Sequence, residues 1–183
     1  MDILVDITGV TLETERLILR PWRETDLDDF FAYASVPGVG EMAGWLHHDS
    51  IETSKQILDA FISSKNMFAI VLKENGKAIG SLGLHLSWAN DDPLYKNLRQ
   101  KEIGYVLTKE FWGRGLMTEA VLAVIRFGFE VLKLDALTVG HFITNSRSQR
   151  VIEKCGFTLV KSTEHYAKQL DRSFKDLKYI LLP

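Results

Sequence analysis

Residues Phe111–Leu132 read FWGRGLMTEAVLAVIRFGFEVL, two glycines one residue apart followed by apolar residues at helical spacing. Inside a helix glycine is about 1 kcal/mol worse than alanine, so Gly113 and Gly115 at the threshold of one need a reason. A strand, a glycine turn and then a helix leave unpaired backbone N–H groups at the helix N-terminus, where the helix dipole adds partial positive charge. Such a terminus takes an anion, and glycine lets a phosphate approach the backbone.

Two phosphate-binding designs fail on particular residues. A P-loop requires Gly-Lys-Ser/Thr, but Leu116 and Met117 follow Gly115. A dinucleotide fingerprint requires a third glycine or alanine near Thr118 and an acid closing the next strand, where Gly140 and His141 stand. Taken alone, the Gly-x-Gly fits a plain tight turn before a core helix equally well.

Composition narrows the setting. At 183 residues the chain is one ordinary domain, long enough to bury roughly 70% of its unfolded surface. Lys and Arg total 22 against 24 Asp and Glu, a net charge of −2, which provides no field to gather nucleic acid or anionic lipid. An anion must therefore be bound locally. The single Cys155 forms no internal disulfide, no apolar run approaches the roughly 20 residues of a membrane helix, and MDILVDITGV lacks a signal pattern. A soluble cytoplasmic protein is expected.

Outward from the glycines, periodicity predicts alternating elements. Leu12–Trp22 reads as one half-buried strand, followed by a helix capped by Thr25 or Asp26, running to about Ser35 and burying Leu27, Phe30, Phe31 and Ala34. Val36–Ser50 is broken by Pro37, Gly38, Gly40 and Gly44 into loop with a short helical turn. Ser50 and Thr53 open a helix to about Ser64, burying Ile57, Leu58, Phe61 and Ile62. Asn75-Gly76 marks a hairpin between strands Met67–Glu74 and Lys77–Ser87. A loop over Trp88–Gln100 leads to a strand, Lys101–Thr108. After the glycine helix come a strand at Asp135–Phe142, a helix from about Ser146 to Cys155, and strands near Thr158–Lys168 and Lys175–Leu182. This order predicts a single α+β domain over residues 1–183 with a mixed sheet.

KEIGYVLTKEFWGRGLMTEAV and, some thirty residues later, TNSRSQRVIEKCGF resemble the GNAT superfamily of N-acetyltransferases, most closely its RimJ and RimL branch of ribosomal-protein N-terminal acetyltransferases. LETERLILRPWRETDLDDFF and GWLHHDSIETSKQIL extend the likeness over nearly the whole chain. The resemblance implies a GNAT-like fold in which a strand splays from its neighbour, with acetyl-CoA in the gap. The family's pyrophosphate turn, Arg/Gln-x-x-Gly-x-Gly/Ala, falls on Trp112 to Met117. Trp112 is usual in that branch, whereas Met117 is bulkier than the pattern. The implied backbone donors are Arg114, Gly115, Met117 and Thr118, with Val106 and Leu107 serving the pantetheine and the developing oxyanion.

By the same resemblance Glu102 is the general base, Asn145 holds the pantetheine arm and Ser148 assists the departing thiolate. Each has a plainer alternative: Glu102 pairing with Lys101 or Arg99, and Asn145 and Ser148 capping a helix. Arg150 and Lys154 are placed to meet the CoA 3′-phosphate or to form a solvated face. Cys155 before Gly156-Phe157 reads as a buried helix end, not a nucleophile. His47 and His48 precede an N-cap and could face the acceptor cleft, His85, His141 and His165 fall in strands without metal-ligand spacing, and most of the five read as structural or exposed; if Glu102 is not the base, His47, His85 and His141 or water alone are the alternatives, and no metal is implied. Trp45, Trp88 and Tyr95 lie in loops from which the family shapes its acceptor cleft.

The partners expected are acetyl-CoA and a primary amine, with monomer and homodimer both open. At pH 7 about a tenth of an α-amine is neutral but well under a thousandth of a lysine side chain, so an α-amine needs little activation. This chemistry suits a protein N-terminus, as the branch implies. It suits equally an antibiotic, a polyamine or an amino-acid derivative, and a non-catalytic acyl-CoA-binding domain is a further alternative.

Overall fold

The computed structural model describes residues 1–183. Its strands are β1 (Leu12–Glu13), β2 (Leu17–Pro21), β3 (Met67–Leu72), β4 (Ala78–His85), β5 (Gln100–Leu107), β6 (Ala136–Phe142), β7 (Thr158–Ala167) and β8 (Arg172–Leu181). The α-helices are α1 (Leu27–Ala34), α2 (Ile51–Ser64), α3 (Leu116–Arg126) and α4 (Ser146–Lys154). All eight strands form one sheet in the order β1-β2-β3-β4-β5-β6-β8-β7, antiparallel except between β5 and β6.

That parallel pair is short. β5 and β6 are in register from Gln100 opposite Ala136 to Ile103 opposite Val139. Beyond Ile103, β5 pairs only with β4, as far as Leu107 opposite Gly80, while β6 continues along β8 to Phe142 opposite Asp176. The expected splay is present, and it opens towards the C-terminal ends of both strands.

Alternation along the strands sends side chains to opposite faces. On one face Leu17, Phe68, Ile70, Ile103 and Val139 pack against α3 and α4 through Val121, Val124 and Ile152. On the other, Met67, Ala69 and Val71 meet Trp22, Phe30, Tyr33 and Leu58 of the α1–α2 side. Cys155 is buried in the first core, as its setting predicted. No helix is long and apolar enough to cross a membrane.

Several boundaries differ from the sequence reading for local reasons. Leu12–Trp22 is two strands, because Thr14 turns the chain: its N–H bonds Leu17 O at 3.0 Å and its Oγ1 accepts from Leu17 N at 2.9 Å. Leu12 thus lies opposite Leu19. In α2, Leu58 is buried but Ile57 is 36% exposed and faces a cavity described below. Tyr33, absent from the expected apolar stripe of α1, is buried. β8 begins at Arg172, three residues before Lys175, because the left-handed Asp171, at φ 47°, closes a tighter turn.

The expected cap of α1 has another occupation. Asp26 stands at the N-cap without bonding the helix. Its carboxylate instead takes Arg20 Nη1 and Nη2 at 2.7 and 2.8 Å and the Arg23 N–H at 2.9 Å, pinning the helix start to β2. Both partners are nearly buried, at 12% and 9% side-chain exposure. Removing one member strands a buried charge, so Asp26→Ala should lower unfolding free energy by about 3–5 kcal/mol, read from urea denaturation curves.

Candidate active site

The open half of β5 has a definite polarity. Thr108 N–H bonds Ile79 O at 2.9 Å, while Arg99 O accepts from Asp135 and Ala136 of the β6 segment. By alternation, even-numbered residues of β5 turn their backbone groups to β4 and odd-numbered ones to β6. Where β6 departs, the groups left without a ladder belong to Tyr105 and Leu107. The N–H of Val106, expected as a donor, turns to β4, whereas that of Tyr105 faces the gap. Leu107 O is satisfied by Trp112 Nε1 at 2.7 Å, which ties the glycine turn to the end of the strand.

Gly113 and Gly115 have φ of 77° and 78°, the left-handed region that glycine enters freely, and neither lies within the helix. α3 starts at Leu116, so the N–H groups of Leu116, Met117 and Thr118 have no partner in their own helix. Nothing lies within 4 Å of a Cβ built on Gly113, which leaves the turn open to approach. Glu119 in the first turn would oppose an anion, but its carboxylate is engaged. Burial favours its protonated form, yet this is outweighed by bonds from Thr14 Oγ1 and from Arg16 N and Nε at 2.8 Å, which hold its pKa below the usual value. The Arg114 side chain lies over Phe111, 5.0 Å from the ring centre, outside the cavity that the turn lines.

That cavity, of about 470 Å³, follows the gap between β5 and α4. Gly115, Met117, Thr118, Asn145 and Ser148 line it, and Lys109, Arg147, Arg150 and Lys154 bring cations to its walls. Arg147 also lies over the Trp112 ring at 4.6 Å. Asn145 Oδ1 accepts from Ser148 N–H at 3.1 Å, a helix cap, while its Nδ2 bonds Met42 O at 3.3 Å in the Val36–Ser50 loop. Ser148 Oγ is 2.7 Å from the Tyr105 hydroxyl. Burial pushes the Tyr105 pKa well above its usual 10, so this hydroxyl keeps its proton. The Tyr105–Ser148 pair was not legible in sequence, since it depends on how α4 crosses β5.

A second cavity, of about 880 Å³, lies on the α1–α2 face. Phe30, Tyr33, Trp45, Phe61 and Met67 give it an apolar body, and His47, His48 and His85 reach into it. No Lys or Arg lines it, and Asp49 is the single carboxylate there. The two cavities share Ala43, Tyr105 and Val106, so they meet at the point where β5 leaves β6.

Glu102 lines neither cavity. Its carboxylate accepts from Trp88 N–H at 3.0 Å and lies 3.7 Å from Lys178 Nζ, not beside Lys101 or Arg99. Burial raises its pKa, with Lys178 opposing. Trp88 and Tyr95 pack on each other away from the second cavity, whereas Trp45 lines it. His141 is buried against Tyr179.

Comparison with known proteins matches this arrangement. Residues 16–158 fit the family described as acetyltransferase (GNAT) domain. The chain belongs to the GNAT acetyltransferase family. It is 30% identical over 151 residues to the uncharacterized N-acetyltransferase YoaA of Bacillus subtilis, covering 80% of this chain and 81% of that one. The GNAT-family acetyltransferase of Bacillus anthracis superposes with a TM-score of 0.82 at 20% identity, covering 94% of this chain and 98% of that one. The ribosomal-protein-S5-alanine acetyltransferase of Vibrio fischeri gives 0.73 at 20% identity, covering 94% and 96%. The activity is thus acyl transfer to nitrogen, with acetyl-CoA as the family's co-substrate.

In this GNAT enzyme the histidines of the second cavity differ in their ties. His47 Nδ1 is 2.7 Å from Glu41 Oε1, and His48 Nδ1 is 2.7 Å from Ser54 Oγ. Burial lowers the His48 pKa from its usual 6.5, with Asp49 opposing. The unfolded chain binds that proton more readily than the fold, so stability is full above about pH 6.5 and falls as pH drops towards the lower folded value. His48→Gln should flatten this slope between pH 7 and 5 in urea titrations.

Proposed function

We propose that the enzyme transfers the acetyl group of acetyl-CoA directly to a primary amine, the α-amine of a protein or peptide N-terminus, within a ternary complex. The observation that carries this reading is the meeting of two unlike cavities at Tyr105 and Val106. One has a helix N-terminus and four cations, suited to a nucleotide diphosphate. The other is aromatic and has no cation.

In this reading the pyrophosphate sits at residues 113–118 on the backbone of Arg114, Gly115, Met117 and Thr118. Tyr105 and Leu107 offer their N–H groups to the pantetheine and the oxyanion, and the Asn145 amide holds the arm. The amine attacks the thioester carbon, the C–S bond breaks, and the thiolate takes a proton from the Tyr105–Ser148 pair, which the proton shed by the new amide nitrogen restores. Direct transfer is favoured because the one thiol, Cys155, lies outside both cavities with its pKa pushed to about 11 by burial. Glu102, the base implied by resemblance, lines neither cavity and is given no step in this reading.

The acceptor class follows from charge. A free amino acid would carry its carboxylate into a cavity without a cation, whereas a peptide presents that carboxyl as a neutral amide. The RimJ and RimL likeness, and the Vibrio fischeri protein's name, point the same way. A panel of N-terminal peptides, free amino acids, polyamines and antibiotics, assayed by release of CoA thiol, tests this. Turnover confined to the small molecules overturns the peptide assignment.

Gly115→Ala forces a side chain into a left-handed position at the anion turn and should weaken acetyl-CoA binding at least 10-fold by calorimetry, with the circular dichroism spectrum unchanged. Ser148→Ala should lower kcat about 10-fold or more with the KM for acetyl-CoA nearly intact, whereas Asn145→Ala should first raise that KM. Equal losses of Tm in both, with unaltered kinetics, would return them to helix capping.

A further inference from the structure

His85 closes β4 and lies directly opposite Glu102 on β5, yet the two side chains part. Glu102 is held by Trp88 and Lys178. The His85 imidazole folds the other way along the sheet, over Gly83 and Gly104. A Cβ on Gly83 would stand 2.5 Å from His85 Nε2, and one on Gly104 would stand 2.9 Å from its Cδ2. Only glycine at both positions lets the ring lie there. Ser81 and Val106 are the next cross-strand pair in that direction, and Val106 belongs to the junction of the two cavities.

The ring is also chemically free. His47, His48 and His141 spend ring nitrogens on Glu41, Ser54 and Tyr179, whereas His85 has no hydrogen-bond partner at either nitrogen. It is solvent-accessible within the cavity, so a ligand there can reach it. The Tyr33 hydroxyl, buried in the same cavity wall, likewise has no partner. An amine beside the ring would meet imidazole nitrogens that the protein itself leaves without a partner.

We propose that His85 is the group that accepts the proton of the acceptor ammonium, in place of Glu102, and that the second cavity is where that amine waits. This rests on the acetyltransferase reading above. The ammonium gives one proton to the neutral imidazole, and the free amine forms the N–C bond at the thioester carbon. As the C–S bond breaks, the Tyr105–Ser148 pair passes a proton to the thiolate, and the second proton, shed by the new amide nitrogen, replaces it on the pair. The imidazolium returns its proton to solvent at the cavity mouth.

The surroundings favour the neutral ring that this requires. Lys101 and Glu102 on β5 and Asp49 on the loop supply the nearby charges, with Tyr33, Tyr105, His47 and His48 the other titratable groups of the cavity. The ring keeps an exposed edge, yet its partial desolvation by the elements packed around it, and then the Lys101 charge, lower the His85 pKa from its usual 6.5. At pH 7 the imidazole is therefore ready to take a proton.

The test compares wild type, His85→Gln and Glu102→Gln in kcat/KM for alanyl-phenylalanine amide from pH 6 to 9.5, and for phenethylamine at pH 7, with acetyl-CoA saturating. A base helps only while the amine is protonated. His85→Gln should lose about 10-fold or more at pH 6.5–7 and approach wild type above the amine's pKa, while Glu102→Gln stays within about threefold throughout. Tm and acetyl-CoA affinity, unchanged in His85→Gln, show that the fold and first cavity survive. A His85→Gln profile matching wild type, a loss equal at pH 7 and 9.5, or the pH-dependent defect appearing in Glu102→Gln overturns the assignment while leaving the acetyltransferase reading intact. Wild type inert towards both amines, yet binding acetyl-CoA, overturns both.

Discussion

A parallel strand pair that holds register for four residues and then separates leaves backbone groups that no ladder can satisfy. Buried N–H and C=O groups need partners, so such a gap is costly unless something fills it. Part of the demand is met internally, by Trp112 Nε1 on Leu107 O. The remaining groups, at Tyr105 and Leu107, face the space between the strands. Around that gap the first helix turn of α3, the α4 cap and the Tyr105–Ser148 contact are arranged, and each would lose its place if β5 and β6 stayed paired.

The electrostatics of the gap are local, as the near-zero net charge requires. α3 begins with free N–H groups, and the one acid in its first turn is drawn aside by Thr14 and Arg16 from the opposite end of the chain. Arg16 Nη1 also bonds Arg114 O at 3.0 Å, so a residue between β1 and β2 braces the turn as well as neutralising its acid. On the other face of the sheet the second cavity has no cation at all. The two cavities thus differ in charge, one with cations in its wall and one without.

Elements with strong local signals were readable from sequence: the glycine turn, the Ser50 cap on α2 and the β3–β4 hairpin all stand where their residues indicated. What depended on distant partners was not. Asp26 looks like a cap from its neighbours, but Arg20 claims its carboxylate. Val106 and Tyr105 are adjacent in sequence, and only the register with β4 decides whose N–H enters the gap. Glu102 could be located on its strand, but not the direction in which its carboxylate turns. His85 was one of three histidines that the sequence offered in place of Glu102, and nothing local singled it out, because its setting is made by two glycines, Gly83 on its own strand and Gly104 on the neighbouring one.

The amide of Asn145 joins two parts of the molecule that would otherwise be independent. Its oxygen starts α4, and its nitrogen bonds Met42 in the loop that carries Ala43, Trp45 and His47 to the second cavity. A molecule in the first cavity that drew on this nitrogen would release Met42, and the loop around the second cavity would settle differently. Thermodynamic reciprocity then makes the traffic two-way: whatever orders the loop must alter, by the same factor, the affinity at α4. One side chain thereby couples the occupancy of the two cavities.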